Sequence, residues 1–478
     1  MKNINKKSLR EEADRIKSEF EKLSVDGKVN SEALIIIKSL FMLVNLLIAI
    51  FLEKTNPKNN KNSSKPPSQT EKDESALTKK GTHGKGKEES DFKARNTRTV
   101  ENILLSKVSQ CDVCGQDLRK APCIGHERRT KIDIIFEKTI EHVDSEIKQC
   151  RTCDNTVKGK FPSDMPGPLQ YGNGLKAYII NLLICQMVAL CRIQKMVKSI
   201  IGETLSPATI LNFVLRLHTA LEVWESLTIE RLLKASTMHV DETSIRTDKK
   251  NYWIHVYSSG DLTLKFLHRK RGTEAIEHIN LIPRYSGIIT HDCWSSYLTY
   301  NHCGHSLCGS HLLRELTGVI ESNEYQWAMD MKILLQEACK KVSKRKRKKL
   351  ASGEYETLQK KYQDILALGE AELPEIPEKA NGKRGKIAKT EAHNLWERLK
   401  KYESYVLLFA KESDVSFTNN RAEQDLRMSK VKQKVSGCFR TEIYAKAYCR
   451  ISSYLQTMAN KGFNPLIAIQ MALSGEFI

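Results

Sequence analysis

STMHVDET, residues 236–243, is a short β-type run closed by an acid, Asp241. A second such run, SGIITHDCW at 286–294, brings Asp292 to its end. A third acid, Glu423, opens a helix rich in basic residues, NNRAEQDLRMSKVKQK at 419–434. Phosphodiester transfer uses one ion to activate the attacking oxygen and another to stabilise the leaving oxygen, usually about 3.5–4 Å apart. Hard oxygen ligands suit two Mg2+, with Mn2+ as a substitute. Asp241 and Asp292 at the ends of neighbouring strands would supply the shared centre, and Glu423 would approach from a helix packed across the sheet. Each acid also has a local account. Asp241 and Asp292 fit strand ends or caps; Asn420-x-x-Glu423 fits a capping box, with Arg427 one turn ahead for an ion pair.

Around the first acid, KNYWIHVYSS (250–259) and LTLKFLHRK (262–270) continue the strand pattern, joined by the turn Ser258-Ser259-Gly260-Asp261. The core is therefore α/β. Upstream, residues 165–235 read as a helical block that serves as scaffold or DNA contact, with Pro207 after Ser206 marking a capped helix start. Downstream, about 321–410 returns to helix as an insertion carrying KKVSKRKRKKL at 340–350. Lys344, Arg345, Lys346, Arg347, Lys348 and Lys349 form its basic run, and Lys430, Lys432 and Lys434 a second candidate phosphate surface; such contacts position DNA without reading its sequence. Residues 461–478 are left as a C-terminal tail.

Cys111, Cys114, Cys150 and Cys153 make two Cys-x-x-Cys knuckles separated by thirty-five residues. Four thiolates satisfy tetrahedral Zn2+, so residues 101–160 read as a small zinc-binding domain whose metal contributes folding energy. KIDIIF (131–136) and KTIEHVD (138–144) between the knuckles have strand character, and Arg128, Arg129 and Lys131 beside them are candidate DNA contacts.

Residues 10–54 read as a helical or coiled-coil oligomerisation region that turns intensely apolar from Leu34 to Leu52, interrupted by Lys38, Ser39 and Asn45. That length lies at the lower edge for a membrane span. Ile37, Val44 and Phe51 share one heptad position and Leu40 and Leu47 another, which favours a homo-oligomer over membrane association. Residues 55–100, rich in Asn, Lys, Ser, Pro and Gly, form a flexible basic linker that cannot bury enough apolar area to offset its ordering entropy.

The whole chain has 478 residues, with 77 Lys and Arg against 57 Asp and Glu, a formal charge of +20. Its length suits several domains, and its charge favours a polyanionic partner. The N-terminus lacks a charged leader followed by a small-residue cleavage site, which argues against secretion. Thirteen cysteines in a reducing compartment then read as thiols and metal ligands rather than disulfides.

Taken together and in order, these segments resemble the DDE transposases of the insertion sequence 66 family. The likeness runs through NSSKPPSQ (62–69), the four-cysteine unit, YGNGLKAYIINLL (171–183), HVDET (239–243), THDCWSSY (290–297), CGSHLLREL (308–316), TNNRAEQDLR (418–427) and KGFNPLIAI (461–469). The resemblance implies a multidomain α/β protein whose ribonuclease H-like catalytic domain spans 236–460 around the helical insertion. Asp241, Asp292 and Glu423 would be its metal-binding triad. His311 and Arg314 would support the active site or position DNA, although a locally hydrogen-bonded helix histidine remains the other reading of His311. The implied activity is recognition of terminal inverted repeats, metal-dependent strand cleavage and strand transfer into target DNA. Accessory proteins encoded by the same element are expected partners, in a bacterial, cytoplasmic, DNA-associated setting. The alternative is a non-catalytic, zinc-containing DNA-binding regulator derived from a transposase.

Overall fold

The computed structural model describes residues 6–25, 30–63, 103–134, 136–376 and 389–477; the 64–100 part of the linker lies outside them. The chain forms two compact units, residues 6–63 with Glu222–Thr457, and residues 103–221 with those from Met458 onward. Two helices open the first unit, α1 (Lys6–Val25) and α2 (Ser31–Thr55). Asn30 caps α2, its side-chain oxygen accepting from the Ala33 N–H at 2.7 Å, and Phe20 meets Phe41 with ring centroids 5.6 Å apart.

The second unit starts with the knuckles, which are the same turn built twice. The Cys111 N–H donates to Gln116 O and the Gly115 N–H to Cys111 O; Cys150, Asn155 and Asp154 repeat this, all at 2.9 Å. Gly115 (φ +73°) and Asp154 (φ +52°) supply the left-handed residue that closes each turn. Strands β1 (Ile147–Gln149) and β2 (Thr156–Lys158) pair antiparallel around the second knuckle. The strand character read in KIDIIF and KTIEHVD is not realised, as no described residue from 131 to 144 is in a strand. Ile132, Ile134 and Ile140 are largely exposed there, so no buried face holds a ladder in register. The helical block follows as α3 (Asn173–Ile180), α4 (Leu190–Ile201) and α5 (Pro207–Ala220). Ser206 caps α5 as its sequence implies, accepting from the Thr209 N–H at 3.0 Å.

The rest of the first unit runs α6 (Glu222–Leu233), β3 (Thr237–Thr247), β4 (Lys250–Ser259), β5 (Leu262–His268), α7 (Thr273–Ile279), β6 (Ile288–His291) and β7 (Gly304–Leu307). Helices α8 (Gly309–Asn323), α9 (Gln326–Lys344), α10 (Ser352–Glu372), α11 (Glu391–Lys401), α12 (Glu403–Val406), α13 (Leu408–Lys411), α14 (Asn420–Ser436) and α15 (Glu442–Asn460) follow. The five-stranded sheet has the order β5-β4-β3-β6-β7. Its β5-β4-β3 part is antiparallel and β3-β6-β7 parallel, a mixed α/β architecture consistent with a ribonuclease H-like core. Gly260, at φ +55°, turns the β4–β5 hairpin where the sequence places it. Asp241 does not close its strand, because hairpin pairing with β4 carries β3 on to Thr247.

The edge strand β5 is covered rather than left open. The Thr263 and Lys265 N–H groups donate to the hydroxyls of Thr457 (3.0 Å) and Ser453 (2.8 Å), four residues apart on one face of α15. Helices α8 to α13 enclose a separate apolar core around Leu316, Trp327, Met331, Leu335, Tyr362 and Leu399. Lys344 ends α9, and the rest of the basic run, 345–349, is the turn between α9 and α10 rather than a helix, with Arg345 paired to Glu354. The C-terminal segment read as a tail instead forms α16 (Pro465–Leu473), which packs on α3 and α5.

Helix α2 is long and apolar enough over Glu32–Thr55 to cross a membrane by length and composition, yet its last turns are built into protein. Leu46, Ala49 and Leu52 are buried. The Glu53 carboxylate accepts from the Glu391 (2.6 Å) and Ala392 (3.0 Å) N–H groups at the start of α11, where helix N-termini favour an anion. Burial nonetheless raises the Glu53 pKa. Leu40, Leu47 and Phe51, from the two heptad rows, stay exposed on the other face.

Candidate active site

Parallel pairing sets the first two acids side by side. Strands β3 and β6 pair through His239 and Thr290, and Asp241 and Asp292 each lie two residues further on. The period-two alternation of strands therefore aims both at one face. The Asp241 Oδ1 accepts from the Glu242 N–H at 2.8 Å. Its pKa is well above the ordinary carboxylate value, first through burial and then through the charges of Glu242, Asp292 and Glu423.

Asp292 sits on a strained turn with a built support. Cys293 has φ +69°, its N–H donates to His291 Nδ1 at 3.1 Å, and Asp292 Oδ1 accepts from the Trp294 N–H at 3.2 Å. Because His291 Nδ1 accepts, its Nε2–H donates to His305 Nδ1 at 3.1 Å, and His305 Nε2–H donates to Tyr300 O at 2.9 Å. Both imidazoles are thus neutral, in keeping with the depression of the His291 pKa to about 3 by burial.

Glu242, next to Asp241, is an acid the sequence reading passed over. It is buried and accepts from Tyr297 Oη and Arg271 Nε, both at 2.6 Å. The Arg271 guanidinium stacks 3.7 Å from the Trp294 ring centroid. This chain of contacts ties β3 to the segment after Asp292. An acidic residue directly following the strand acid was its one sequence signal.

Helix α14 packs on β3 and β4 and places Glu423 where its charge helps raise the Asp241 pKa. The capping box is not formed: Asn419, not Asn420, is the N-cap residue, and Glu423 Oε1 is buried without a hydrogen-bond partner. Its ion pairs run to His311 Nδ1 and Arg314 Nη2, each 3.7 Å away, rather than to Arg427. His311 is likewise not bonded locally through Nδ1, and burial followed by the Arg314 charge lowers its pKa.

Two residues of TNNRAEQDLR, missed as site residues, place that helix. Asn419, 1% exposed, donates from Nδ2 to Val240 O at 2.8 Å and accepts at Oδ1 from His239 Nδ1 at 3.0 Å. Its N–H donates to Cys308 Sγ at 3.1 Å, so one residue joins β3, the start of α8 and the start of α14. Asp425, also buried, accepts from Ser258 Oγ (2.6 Å) and Thr263 Oγ1 (2.8 Å) and forms an ion pair with Arg421, whose Nε lies 3.2 Å away. Side-chain amides and acids of this kind read as surface helix from sequence, because their partners lie far along the chain.

The remaining candidates separate by exposure. Arg128, Arg129, Lys131, Lys344, Lys346, Arg347, Lys348 and Lys434 are exposed. Lys430 is half-buried and donates to Ser244 O at 3.1 Å. Lys432 is buried and is withdrawn as a phosphate contact, since an ammonium inside α14's packed face cannot reach DNA. The knuckle thiols come together as two pairs rather than one set of four. Backbone N–H groups lower the pKa of Cys111, and those of Thr152 and Cys153 lower that of Cys150 to about 7.

Three clustered carboxylates, one with an orphaned buried oxygen, fit a divalent cation by donor chemistry. Among curated proteins none matches this chain. The sequence pattern of the Transposase IS66 family matches residues 168–447, more than half of the chain and a span that contains Asp241, Asp292 and Glu423. A mixed sheet that carries two aspartates in register, a glutamate brought to them by a packed helix, and that match make the chain a member of the Transposase IS66 family, a DDE-type transposase.

Proposed function

We propose that this transposase recognises the terminal inverted repeats of its element, cleaves the strand at each end by hydrolysis, and joins the freed 3′ hydroxyl to target DNA. The observation that carries this reading is that Asp241 lies within reach of the charges of Asp292 and Glu423, with Glu423 Oε1 buried and without a hydrogen bond. Two Mg2+ held by these carboxylates would supply an activated water and stabilise the leaving oxygen. The protein's own part is to hold the acids fixed. Glu242 is neutralised by Arg271, the His291 and His305 pair supports the Asp292 turn, and Asn419 with Asp425 seats Glu423. His311 and Arg314 sit beside Glu423, where they can orient a phosphate. Incubating the full chain with Mg2+ and DNA bearing the native ends should yield end-specific nicks and joined products. Binding without any nick, in the presence of the element's accessory proteins, would instead favour the regulator.

Phosphate contacts are assigned to the run at 344–349, to Lys430 and Lys434, and to Arg128, Arg129 and Lys131. Changing Lys344, Lys346, Arg347 and Lys349 together to Gln should weaken DNA binding on all sequences. The slope of log affinity against log salt should fall by about 0.9 for each phosphate no longer neutralised. An unchanged slope would remove this run from the interface.

Zn2+ is assigned to Cys111, Cys114, Cys150 and Cys153, with the pairing of the thiols and the lowered pKa of Cys111 and Cys150 as support. A strong chelator should release metal and expose 103–160 to protease. Metal content unaltered by Cys111→Ser and Cys150→Ser would refute the assignment. Self-association is assigned to the exposed apolar face of α2, in a bacterial, DNA-associated setting.

A further inference from the structure

We propose that Cys308, His311 and Glu423 form a second kind of metal site, one that takes a borderline-soft divalent cation such as Zn2+ and shares only Glu423 with the Mg2+ set. Cys308 immediately precedes α8, His311 lies in its first turn, and Glu423 lies in the first turn of α14. The bond from the Asn419 N–H to Cys308 Sγ holds the two helix starts together. One ligand atom from each residue lies within 4.8 Å of the other two. Bonds of about 2.0–2.3 Å to tetrahedral zinc put ligand atoms roughly 3.3–3.8 Å apart, so side-chain rotation through about 1 Å closes the site.

Two features point to a cation rather than to a packing cluster. His311 Nδ1 and Glu423 Oε1 are both buried and both lack a hydrogen-bond partner. Buried polar atoms without a hydrogen bond are uncommon and costly, and one cation would satisfy these two, 3.7 Å apart, together. The ligand set is also selective. A sulfur and an imidazole suit zinc and its neighbours, whereas Mg2+ keeps to oxygen. Three protein ligands leave a fourth position for water. On binding, the Cys308 thiol proton leaves to solvent, and the thiolate and carboxylate balance the charge of the ion. Arg314 Nη2, 3.7 Å from Glu423 Oε1, must turn away.

The functional consequence rests on the proposed triad: a Glu423 carboxylate turned toward Cys308 and His311 is not available beside Asp241 and Asp292. Low zinc should then suppress Mg2+-dependent cleavage. The test of the site itself needs no DNA. The full chain, its knuckles loaded with zinc, is titrated with Co2+ and followed by its tetrahedral visible bands and thiolate charge-transfer absorption. Wild type should bind one further equivalent with a sulfur signature. Cys308→Ser, which keeps an acceptor for the Asn419 N–H, should lose that signature and bind about 100-fold more weakly or worse, since even outer-shell losses cost 10–100-fold. His311→Gln should weaken binding comparably. Identical spectra and stoichiometry in Cys308→Ser would overturn the site. Co2+ bound through Cys308, with cleavage indifferent to zinc, would uphold the site and count against the role of Glu423 in the triad.

Discussion

Asp241→Asn and Asp292→Asn should each lose strand cleavage by about three orders of magnitude or more while retaining binding to the element's ends. That factor corresponds to roughly 4 kcal/mol of transition-state stabilisation. Each substitution keeps the side-chain shape and removes one charge from a cluster whose carboxylates already raise the Asp241 pKa. The same substitution at Asp241 acts oppositely on stability. A carboxyl whose folded pKa is raised contributes stability that is full below the usual value of about 3.9 and is lost as pH rises through the folded value. At neutral pH, above the usual carboxyl value, the raised Asp241 pKa therefore counts against the stability of the metal-free wild type. Thermal unfolding without metal should show Asp241→Asn at least as stable as wild type, and Mg2+ should raise the melting temperature of wild type only. Retained cleavage in a folded Asp241→Asn or Asp292→Asn chain would dismiss that residue from the triad.

Asn419→Ala should be the most damaging change outside the acids. It strands Val240 O and His239 Nδ1 without their partner and opens a void at the junction of β3, α8 and α14. A loss of about 2–4 kcal/mol follows from unsatisfied buried groups and cavity together. Cleavage should fall even where the variant remains folded, because Glu423 enters from the helix that Asn419 starts. Asn419→Asp separates the two effects. It keeps the acceptor facing His239 but replaces the Nδ2 donor with an oxygen against Val240 O. Chemical denaturation and cleavage measured on both variants decide the matter. Wild-type stability and activity in Asn419→Ala would show that α14 is held without Asn419.

Several parts of this architecture were legible because their causes are local. Ser206 followed by Pro207 specifies a capped helix start through neighbouring atoms, and Gly260 takes the positive φ of the β4–β5 turn. The alternation around STMHVDET and the run before Asp292 mark strands for the same reason. Other expectations failed where local pattern met too little packing. KIDIIF lacked a face to bury, and the lysine-rich stretch after α9 became a turn.

By itself the sequence determined the identities of the three acids, the change from helix to strand near residue 236, and the paired cysteine turns, all set within a few residues. Only the tertiary structure decided that β3 and β6 run parallel in the register that sets Asp241 beside Asp292. It also decided that Asn419 joins three elements, that Asp425 anchors α14 to the β4–β5 hairpin, and that Ser453 and Thr457 cover the β5 edge. The reason is physical. A buried polar side chain takes its role from whichever donor or acceptor the fold brings to it, and those partners lie more than a hundred residues away.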